Sequence, residues 1–295
     1  MDSPVGPAAV ELSPTARELL RAIDADGEAE RVTLLGCGTD NAAFGIDDRW
    51  VLRQRLEVSD DTAREIEREH GLLDLLAEHL PVPVPRVIGA DPSSGTIVLE
   101  RLPGRSALDA PPADPSSLLP ELEALLGALG ALTRNAVIDL LYEDDAPMTV
   151  YREETEDLAP IAARLLRPEQ SLTLDAFLQH SLPAEPNTAV LCHNDLGAEH
   201  LLLDEDRRRI TGVIDWSDAA WTDPAHDLGR IGRDFGYALA DHLAARVFPD
   251  DRGLRDRLRF HARCSLIEDL AHGHEQDDSR YADAALRSFD RTFAD

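Results

Sequence analysis

The residues best suited to chemistry lie within 190–216, where short apolar runs alternate with polar loops. One apolar run ends in His193-Asn194-Asp195, a second follows His200, and a third ends in Asp215. Carboxylates and an imidazole at the ends of neighbouring strands can be held rigidly around one point. There, Asp195 would accept or orient a hydroxyl proton, while His200 and Asp215 would bind a metal that carries phosphates. The pattern predicts phosphoryl transfer to a hydroxyl group, in which a positioned base contributes about 10²–10⁴-fold in rate.

These residues resemble the aminoglycoside phosphotransferase family, a group of antibiotic kinases with a protein-kinase-like fold. The family has a His-x-Asp catalytic loop and, four intervening residues later, a metal-binding Asn. This chain has His193-Asn194-Asp195, and His200 stands where most members have Asn. Histidine at that place is similar to the aminoglycoside 2″- and macrolide 2′-phosphotransferases, and a neutral imidazole can bind a metal. The segment 212–228, which contains Asp215 and Asp227, is similar to the family's metal-aspartate segment.

The resemblance implies a role for each of these positions. Asp195 would be the catalytic residue, and His200 and Asp215 would bind Mg²⁺, which we expect as two ions, with ATP or GTP as co-substrate. Asp227 would be structural and would brace the catalytic loop through hydrogen bonds. We expect His193 to hold the loop in shape and to take no part in the chemistry.

The N-terminal third of the chain carries a second group of candidate residues. Gly36 and Gly38 predict a glycine turn between two strands, whose backbone amides could cover phosphates. Arg53 occupies the third strand, where kinases keep a basic residue against the α- and β-phosphates. The chain has no lysine, so a phosphate-binding side chain must be arginine, whose planar fork can contact two oxygens. Glu69 is the best partner carboxylate on the following helix, and Glu65 is the alternative.

Hydrophobic periodicity places these residues in an α+β protein. Strands are predicted from Val32 to Leu35, broken at Gly36, and then over 43–46, 50–55, 86–88 and 96–99. A major helix follows the cap at 59–61, and another helical segment is predicted over 115–137.

The break after the last of these strands divides the chain. Leu99, Glu100 and Leu102 form a connector that would present backbone groups to a purine. We predict a bilobal, protein-kinase-like α+β fold with a β-rich N-terminal lobe, one major helix in it, and a mainly helical C-terminal lobe. The boundaries are 1–101 for the nucleotide-binding lobe and 102–295 for the catalytic, acceptor-binding lobe.

Composition limits the partners of this chain. A net charge of −28 and a pI near 4.6 disfavour nucleic acid and anionic membranes and favour cations. No apolar run approaches the roughly 18 residues of a membrane span. Three widely separated cysteines fit neither a disulfide framework nor a metal-ligand pair, which indicates a reducing cytoplasm. A monomer is the simpler expectation for so acidic a surface.

The acceptor is the least determined part of the prediction. Only seven residues separate Asp215 from Asp223, too few for a peptide-docking activation segment, so a small molecule with a hydroxyl group is expected. A cationic aminoglycoside is favoured because the second half is rich in carboxylates. Alternatives are a macrolide 2′-hydroxyl kinase, a kinase for choline, amino sugars or homoserine, and a nucleotide-binding pseudokinase. The intact Asp195, His200 and Asp215 argue against the last.

Overall fold

The structure is a computed structural model that describes residues 11–24, 31–37, 40–276 and 278–294. The chain divides into two compact units, Met1–His79 with Pro83–Pro103, and Leu80–Val82 with Gly104–Asp295. Gly38, predicted to cover phosphates, lies outside the described residues. None of the helices in the described ranges combines the length and the apolar character that a membrane span requires.

The first unit, hereafter the sheet unit, is built on five antiparallel strands in the order β1-β2-β3-β5-β4. The strands are β1 (Val32–Cys37), β2 (Asn41–Ile46), β3 (Trp50–Arg55), β4 (Val87–Asp91) and β5 (Thr96–Glu100), and the helices are α1 (Pro14–Ile23) and α2 (Thr62–His79). A 3₁₀ turn at Pro92–Ser94 joins β4 to β5. Buried Phe44, Leu52 and Val98 pack with Ala16 of α1 in one core.

The predicted strand break at Gly36 is wrong. Strand β1 continues to Cys37, and Gly36 pairs with Ala43 of β2 after a register shift that begins at Leu34. The extra residue is absorbed as a bulge, which bends a strand without ending it. The glycine therefore marks an irregular strand and does not end it.

The second unit, hereafter the helical unit, contains seven longer helices among its described residues, with one short helix and several short strands between them. Its elements are β6 (Arg105–Ser106), α3 (Leu119–Ala131), α4 (Arg134–Val137), β7 (Tyr142–Glu143), α5 (Met148–Ala162), α6 (Pro168–Gln179), β8 (Val190–Cys192), β9 (Leu201–Leu203), β10 (Ile210–Val213), β11 (Ala220–Thr222), α7 (Ala225–Phe235), α8 (Tyr237–Val247), α9 (Leu254–Glu275) and α10 (Ser279–Thr292). The strands form two small sheets in the orders β10-β9-β6 and β7-β11-β8. The α+β prediction, with strands first and helices second, is confirmed.

The predicted continuous helix over 115–137 is also wrong. A 3₁₀ turn at Pro115–Leu118 precedes α3, and Leu132 has the extended torsions φ −66° and ψ 135° before α4 begins. A residue in that conformation cannot continue an α-helix. The apolar periodicity runs across the break because both helices bury residues in the same unit, as Leu129 and Val137 do.

Helices α7 and α9 approach each other closely because α7 contains Gly229. A Cβ atom at this position would lie 2.9 Å from the backbone nitrogen of Ala262 and 3.0 Å from the carbonyl oxygen of Leu258. Any larger residue would have to push the two backbones apart. The contact brings Arg230, the next residue of α7, within reach of Glu268 on α9.

A buried ion pair fixes the start of α7 against α9. Arg257 donates from Nε to Asp223 Oδ2 over 2.6 Å and from Nη2 to Asp251 Oδ2 over 2.6 Å. Asp223 in turn accepts from the backbone N–H of Ala225, the first residue of α7. Arg257 and Asp223 are 1% and 3% exposed, so each charge depends on its partner.

We expect Arg257→Leu to lower the free energy of unfolding by about 3–5 kcal/mol, because it leaves Asp223 as an uncompensated buried charge. Urea denaturation followed by circular dichroism measures this loss. The matched control is Arg246→Leu, since Arg246 is 64% exposed and pairs with Glu123 at the surface. That variant should change stability by less than about 1 kcal/mol. Equal losses in the two variants would contradict the assignment.

Candidate active site

The loop between β8 and β9 is held by a buried carboxylate of α7. Asp227 accepts from the backbone N–H of His193 over 2.9 Å and from that of Asn194 over 2.8 Å. Burial raises the pKa of Asp227 to about 7, although both N–H bonds favour its ionised form. The two bonds fix the backbone immediately before Asp195, which is the bracing geometry that the resemblance implies for Asp227.

His193 anchors the same loop from its side chain. Its ring is fully buried, with Nε2 donating to the carbonyl oxygen of Ile214 over 2.9 Å and Nδ1 accepting from Asp195 N–H over 3.3 Å. Both contacts require the neutral ring, and burial lowers the pKa of His193 to about 4. The indole of Trp216 lies 4.5 Å away between ring centroids and donates to the carbonyl oxygen of Val213. His193 is therefore placed to shape the loop.

Two non-glycine residues of the site adopt left-handed backbone torsions. Asn194 has φ 68° and Asp215 has φ 63°. Asn and Asp tolerate this region better than most residues, but the conformation persists only where the surroundings impose it. Each lies beside or at a residue predicted to do chemistry, so the strain turns these side chains out of the regular strand direction.

The three residues predicted to act together do meet in the structure. His200 Nδ1 lies 3.5 Å from Asp195 Oδ2, and His200 Nε2 lies 3.8 Å from Asp215 Oδ2. Ser217 donates to the other carboxylate oxygen of Asp215 over 3.0 Å. The imidazole thus stands between the two acids, as the spacing in the sequence predicts.

Arg230 of α7 makes a contact with Asp195 that the sequence reasoning missed. Its Nε lies 2.9 Å from Asp195 Oδ1, and its Nη2 lies 3.3 Å from Glu268 Oε2. Burial alone would raise the pKa of Asp195, but the charges of Arg230 and His200 outweigh it and lower the pKa to about 2. Asp195 is therefore ionised at neutral pH. Arg230 follows Asp227 by three residues on one helix, a spacing that places both side chains on one face.

The donor atoms fit a divalent cation. His200 Nδ1 lies 2.8 Å from the carbonyl oxygen of Asp195, which can only accept, so Nδ1 carries a proton and Nε2 is the ring nitrogen that faces Asp215. A ligating imidazole characteristically has its other nitrogen bound in this way. Glu199, which the sequence reasoning also missed, brings a ligand atom within 4.8 Å of those of Asp195 and His200.

The protonation of His200 reflects the same surroundings. Burial disfavours the imidazolium ion, but Asp195, Glu199 and Asp215 outweigh that effect and raise the pKa. Carboxylates that attract a proton to this ring would equally attract a metal cation.

In the sheet unit, the predicted basic residue and its partner are paired. Arg53 of β3 donates from Nη2 to Glu69 Oε2 of α2, and both side chains are largely buried. The alternative partner, Glu65, instead pairs with Arg55.

The predicted connector lies at and beyond the end of β5. Leu99 pairs with Val51 in the sheet, and the backbone N–H of Glu100 donates to the carbonyl oxygen of Arg86 over 2.8 Å. Leu102 follows the strand and is half-buried.

A cavity of about 510 Å³ opens within the helical unit beside the loop. Most of the residues that line it are polar or charged; the lining comprises Asp144, Tyr151, Glu154, Thr155, Asp157, Leu158, Asn194, His226, Arg230, His261, Cys264, Ser265 and Glu268. Two buried polar atoms of this lining, Asn194 Oδ1 and His261 Nε2, have no hydrogen-bond partner among the described residues. A second cavity of about 430 Å³ shares Asp144, Tyr151 and His226 with the first.

The model of a phosphotransferase enzyme family matches residues 31–261, which is most of the chain. The chain belongs to the phosphotransferase enzyme family. This membership confirms the prediction of a phosphotransferase and the resemblance on which it was based.

Relatives of known function in the family differ in how much of their length they share with this chain. Viomycin phosphotransferase of Streptomyces vinaceus is 35% identical over 81 residues, which are 26% of this chain and only 28% of that protein. An aminoglycoside 3′-phosphotransferase of Streptomyces fradiae is 28% identical over 222 residues, covering 68% of this chain and 79% of the relative.

Two solved structures of the family share the fold. The GDP and kanamycin complex of APH(2″)-IIIa superposes with a TM-score of 0.70 at 20% identity, covering 95% of this chain and 98% of the other. Macrolide 2′-phosphotransferase MphH from Brachybacterium faecium gives 0.59 at 24% identity, with 92% and 97% covered. The protein-kinase-like fold predicted for this family member is thereby confirmed.

Three rings in the lining of the cavity contact one another. His226 and His261 lie 4.0 Å apart between ring centroids, and Tyr151 meets each of them edge-on at 5.0 Å. Burial lowers the pKa of His226 to about 4 and that of His261 well below its usual value. The cluster therefore presents neutral imidazoles to the cavity.

Lowering the pH should destabilise the protein through these histidines. An unfolded imidazole takes up a proton near pH 6.5, but buried His226 does not until about pH 4, so stability is lost as the pH falls through this window. At about pH 5 the loss from His226 alone is about 2 kcal/mol.

Urea denaturation at several pH values between about 7 and 5 measures this effect. His226→Gln removes the titrating group and should flatten the pH dependence by that amount, whatever its effect on stability at neutral pH. An unchanged pH dependence in this variant would contradict the prediction.

Proposed function

We propose that this protein transfers the γ-phosphate of ATP or GTP to a hydroxyl group of a cationic antibiotic of the aminoglycoside type. The observation that carries the proposal is the juxtaposition of Asp195 with an acidic cavity in the same unit. Arg230 contacts Asp195 and also lines that cavity, together with Asn194 from the same loop. Carboxylates that can bind amines thus lie beside the residue that would receive a hydroxyl group.

Asp195 is the catalytic residue in this proposal. Its carboxylate orients the acceptor hydroxyl and takes its proton while the hydroxyl oxygen bonds to the γ-phosphorus and the bond to the β-phosphate oxygen breaks. A carboxylate with a pKa of about 2 is a weak base, so proton transfer comes late. This suits the loose transition state of phosphoryl transfer, which demands positioning more than a strong base.

His200 and Asp215 hold Mg²⁺, as one ion or two, and Glu199 is placed to assist. When bound, the metal would neutralise charge on the phosphates. The contact of His200 Nδ1 with the carbonyl oxygen of Asp195 leaves Nε2 as the nitrogen that can bind a metal, which supports this role. His193 and Asp227 keep the loop in the geometry that these ligands need.

The sheet unit binds the nucleotide. Arg53 contacts the α- and β-phosphates and is oriented by Glu69, and the segment that begins at Gly36 would offer backbone amides to them. Leu99, Glu100 and Leu102 supply backbone groups and apolar surface to the base. The charged pair Arg53–Glu69 supports this assignment, since a buried arginine keeps its place only with a partner.

The cavity lining favours a polycation over a macrolide. Four carboxylates line the cavity, namely Asp144, Glu154, Asp157 and Glu268, whereas Leu158 is the one purely aliphatic side chain among its described lining residues. A macrolide would require a broad apolar groove. Asp269, a further acid of α9, instead pairs with buried Arg233 over 2.8 Å.

We expect Asp195→Asn to lower kcat for phosphorylation of an accepted aminoglycoside by about 10²–10⁴-fold, because the amide cannot take the proton. The measurement is coupled detection of nucleotide turnover with a panel of aminoglycosides and macrolides, together with mass spectrometry of the product. The control is Asp283→Asn on the exposed face of α10, which should keep wild-type turnover. Acceptor-dependent turnover that survives in Asp195→Asn at the wild-type rate would remove Asp195 from the mechanism. Nucleotide binding without turnover on any hydroxylated compound of the panel would contradict the proposed function itself.

Arg53→Ala should raise the nucleotide KM by about 10- to 100-fold, since a charge-assisted hydrogen bond contributes about 1.5–3 kcal/mol. Steady-state kinetics with varied ATP and varied GTP measure the effect. Arg64→Ala, on the exposed side of α2, is the matched control and should leave KM unchanged. Unchanged KM and kcat in Arg53→Ala would show that this residue does not anchor phosphates.

A further inference from the structure

Arg230 is a cation built into the acidic cavity of the helical unit. Its side chain is 16% exposed and bridges two acids, Asp195 at 2.9 Å through Nε and Glu268 at 3.3 Å through Nη2. The roles assigned above to the catalytic loop, the metal ligands and the nucleotide site leave this arginine without a function. Its position between the carboxylate of Asp195 and the acids of the cavity suggests a role in binding the acceptor.

The cavity around Arg230 is strongly anionic. Burial raises the pKa of Glu154, and repulsion from the nearby carboxylates of Glu268 and Asp144 raises it further. Among the described residues that line the cavity, Arg230 supplies the positive charge, because His226 and His261 are held neutral. One guanidinium cannot balance all of these carboxylates.

Two buried polar atoms of the cavity lining have no hydrogen-bond partner among the described residues. His261 is 5% exposed, and its Nε2 has no hydrogen-bond partner among the described residues, although it lies in the cavity lining. Asn194 Oδ1, beside Asp195, is in the same state. Buried polar groups without partners are costly, and a bound molecule with its own donors and acceptors would satisfy them.

We infer that Arg230 fills a cation subsite of the cavity in the free protein and that an ammonium group of the acceptor takes its place at Glu268. This inference rests on the proposed function and adds to it a residue that makes binding depend on the positive charge of the acceptor. Arg230 keeps its Nε contact with Asp195 when the acceptor enters, and only its Nη2 contact is exchanged.

The shape of arginine makes such an exchange feasible. The guanidinium presents donors on separate nitrogens, so one contact can break while another is retained. A lysine carries all of its donors on one terminal nitrogen, so it has no second nitrogen that could stay in place while one contact is exchanged. Arg230 is accordingly a positioning residue, which holds the carboxylate of Asp195 and competes with the acceptor for Glu268.

Cation binding without nucleotide tests the inference separately from catalysis. Isothermal titration calorimetry with kanamycin, and with spermine as a cation that lacks hydroxyl groups, measures Kd for the full-length protein. We expect Arg230→Gln to tighten binding of both probes by about 10-fold, because it removes a competing charge at short range. Glu268→Gln should weaken both by a similar factor.

The matched control is Arg246→Gln, which removes the same charge from an exposed pair with Glu123 and should leave Kd unchanged. Thermal unfolding checks that each variant folds. If Arg230→Gln does not fold, the effect of Glu268→Gln on Kd still tests the inference. Binding of neither cation by folded Arg230→Gln, or equal Kd values in Arg230→Gln and the wild type, would overturn the inference. Failure of the proposed function appears separately, as absence of phosphoryl transfer to any acceptor.

Steady-state turnover kinetics distinguish a positioning role of Arg230 from a purely structural one. With an accepted aminoglycoside, Arg230→Gln should lower both the acceptor KM and kcat, since the competitor and the brace of Asp195 are lost together. Arg230→Lys retains the charge and should keep the wild-type KM while kcat falls. A merely structural residue would change kcat in both variants without this split in KM, and that result would also overturn the inference.

Discussion

The hydrogen bonds from the catalytic-loop backbone to Asp227 are the interaction on which the site depends. They join the first turn of α7 to the loop that follows β8, so that the helix and the loop move as one body. A buried carboxylate is costly unless nearby donors satisfy it, and here the donors are the N–H groups that most need a fixed direction. The left-handed torsions of Asn194 and Asp215 persist because this frame imposes them.

Charge is distributed unevenly over the frame. Arginines that are nearly inaccessible to solvent, Arg233 and Arg257, each neutralise several acids and serve packing. Arg230 is placed differently, because it faces a cavity and touches a carboxylate that has a chemical role. In a chain without lysine, the guanidinium group has structural tasks and, in the proposed function, would also have nucleotide-binding and acceptor-related tasks that other proteins divide between two kinds of cation.

Much of the fold and the centre of the site could be predicted from the sequence. Asp195, His200 and Asp215 meet because they end or begin consecutive short strands, and strand ends are a local property of the sequence. Arg230 and the cavity could not be found in this way. Their placement depends on the approach of α7 to α9 at Gly229, which joins residues far apart in the chain.

The errors in the secondary structure have a similar origin. Strand β1 continues past Gly36 because a bulge absorbs the extra residue. The apolar pattern continues across the break at Leu132 because the helices on both sides pack into the same unit. Hydrophobic periodicity reports which side of the chain is buried. It does not report whether the backbone is continuous.

The packing of Trp216 against His193 has a consequence for observing the loop. The indole is 1% exposed, follows Asp215 directly, and touches a ring whose neutral form the loop geometry requires. The indole is therefore shielded from water, and its fluorescence should respond to changes in the imidazole beside it. Of the three tryptophans in the chain, this one gives the active-site loop an intrinsic optical reporter, without any added label.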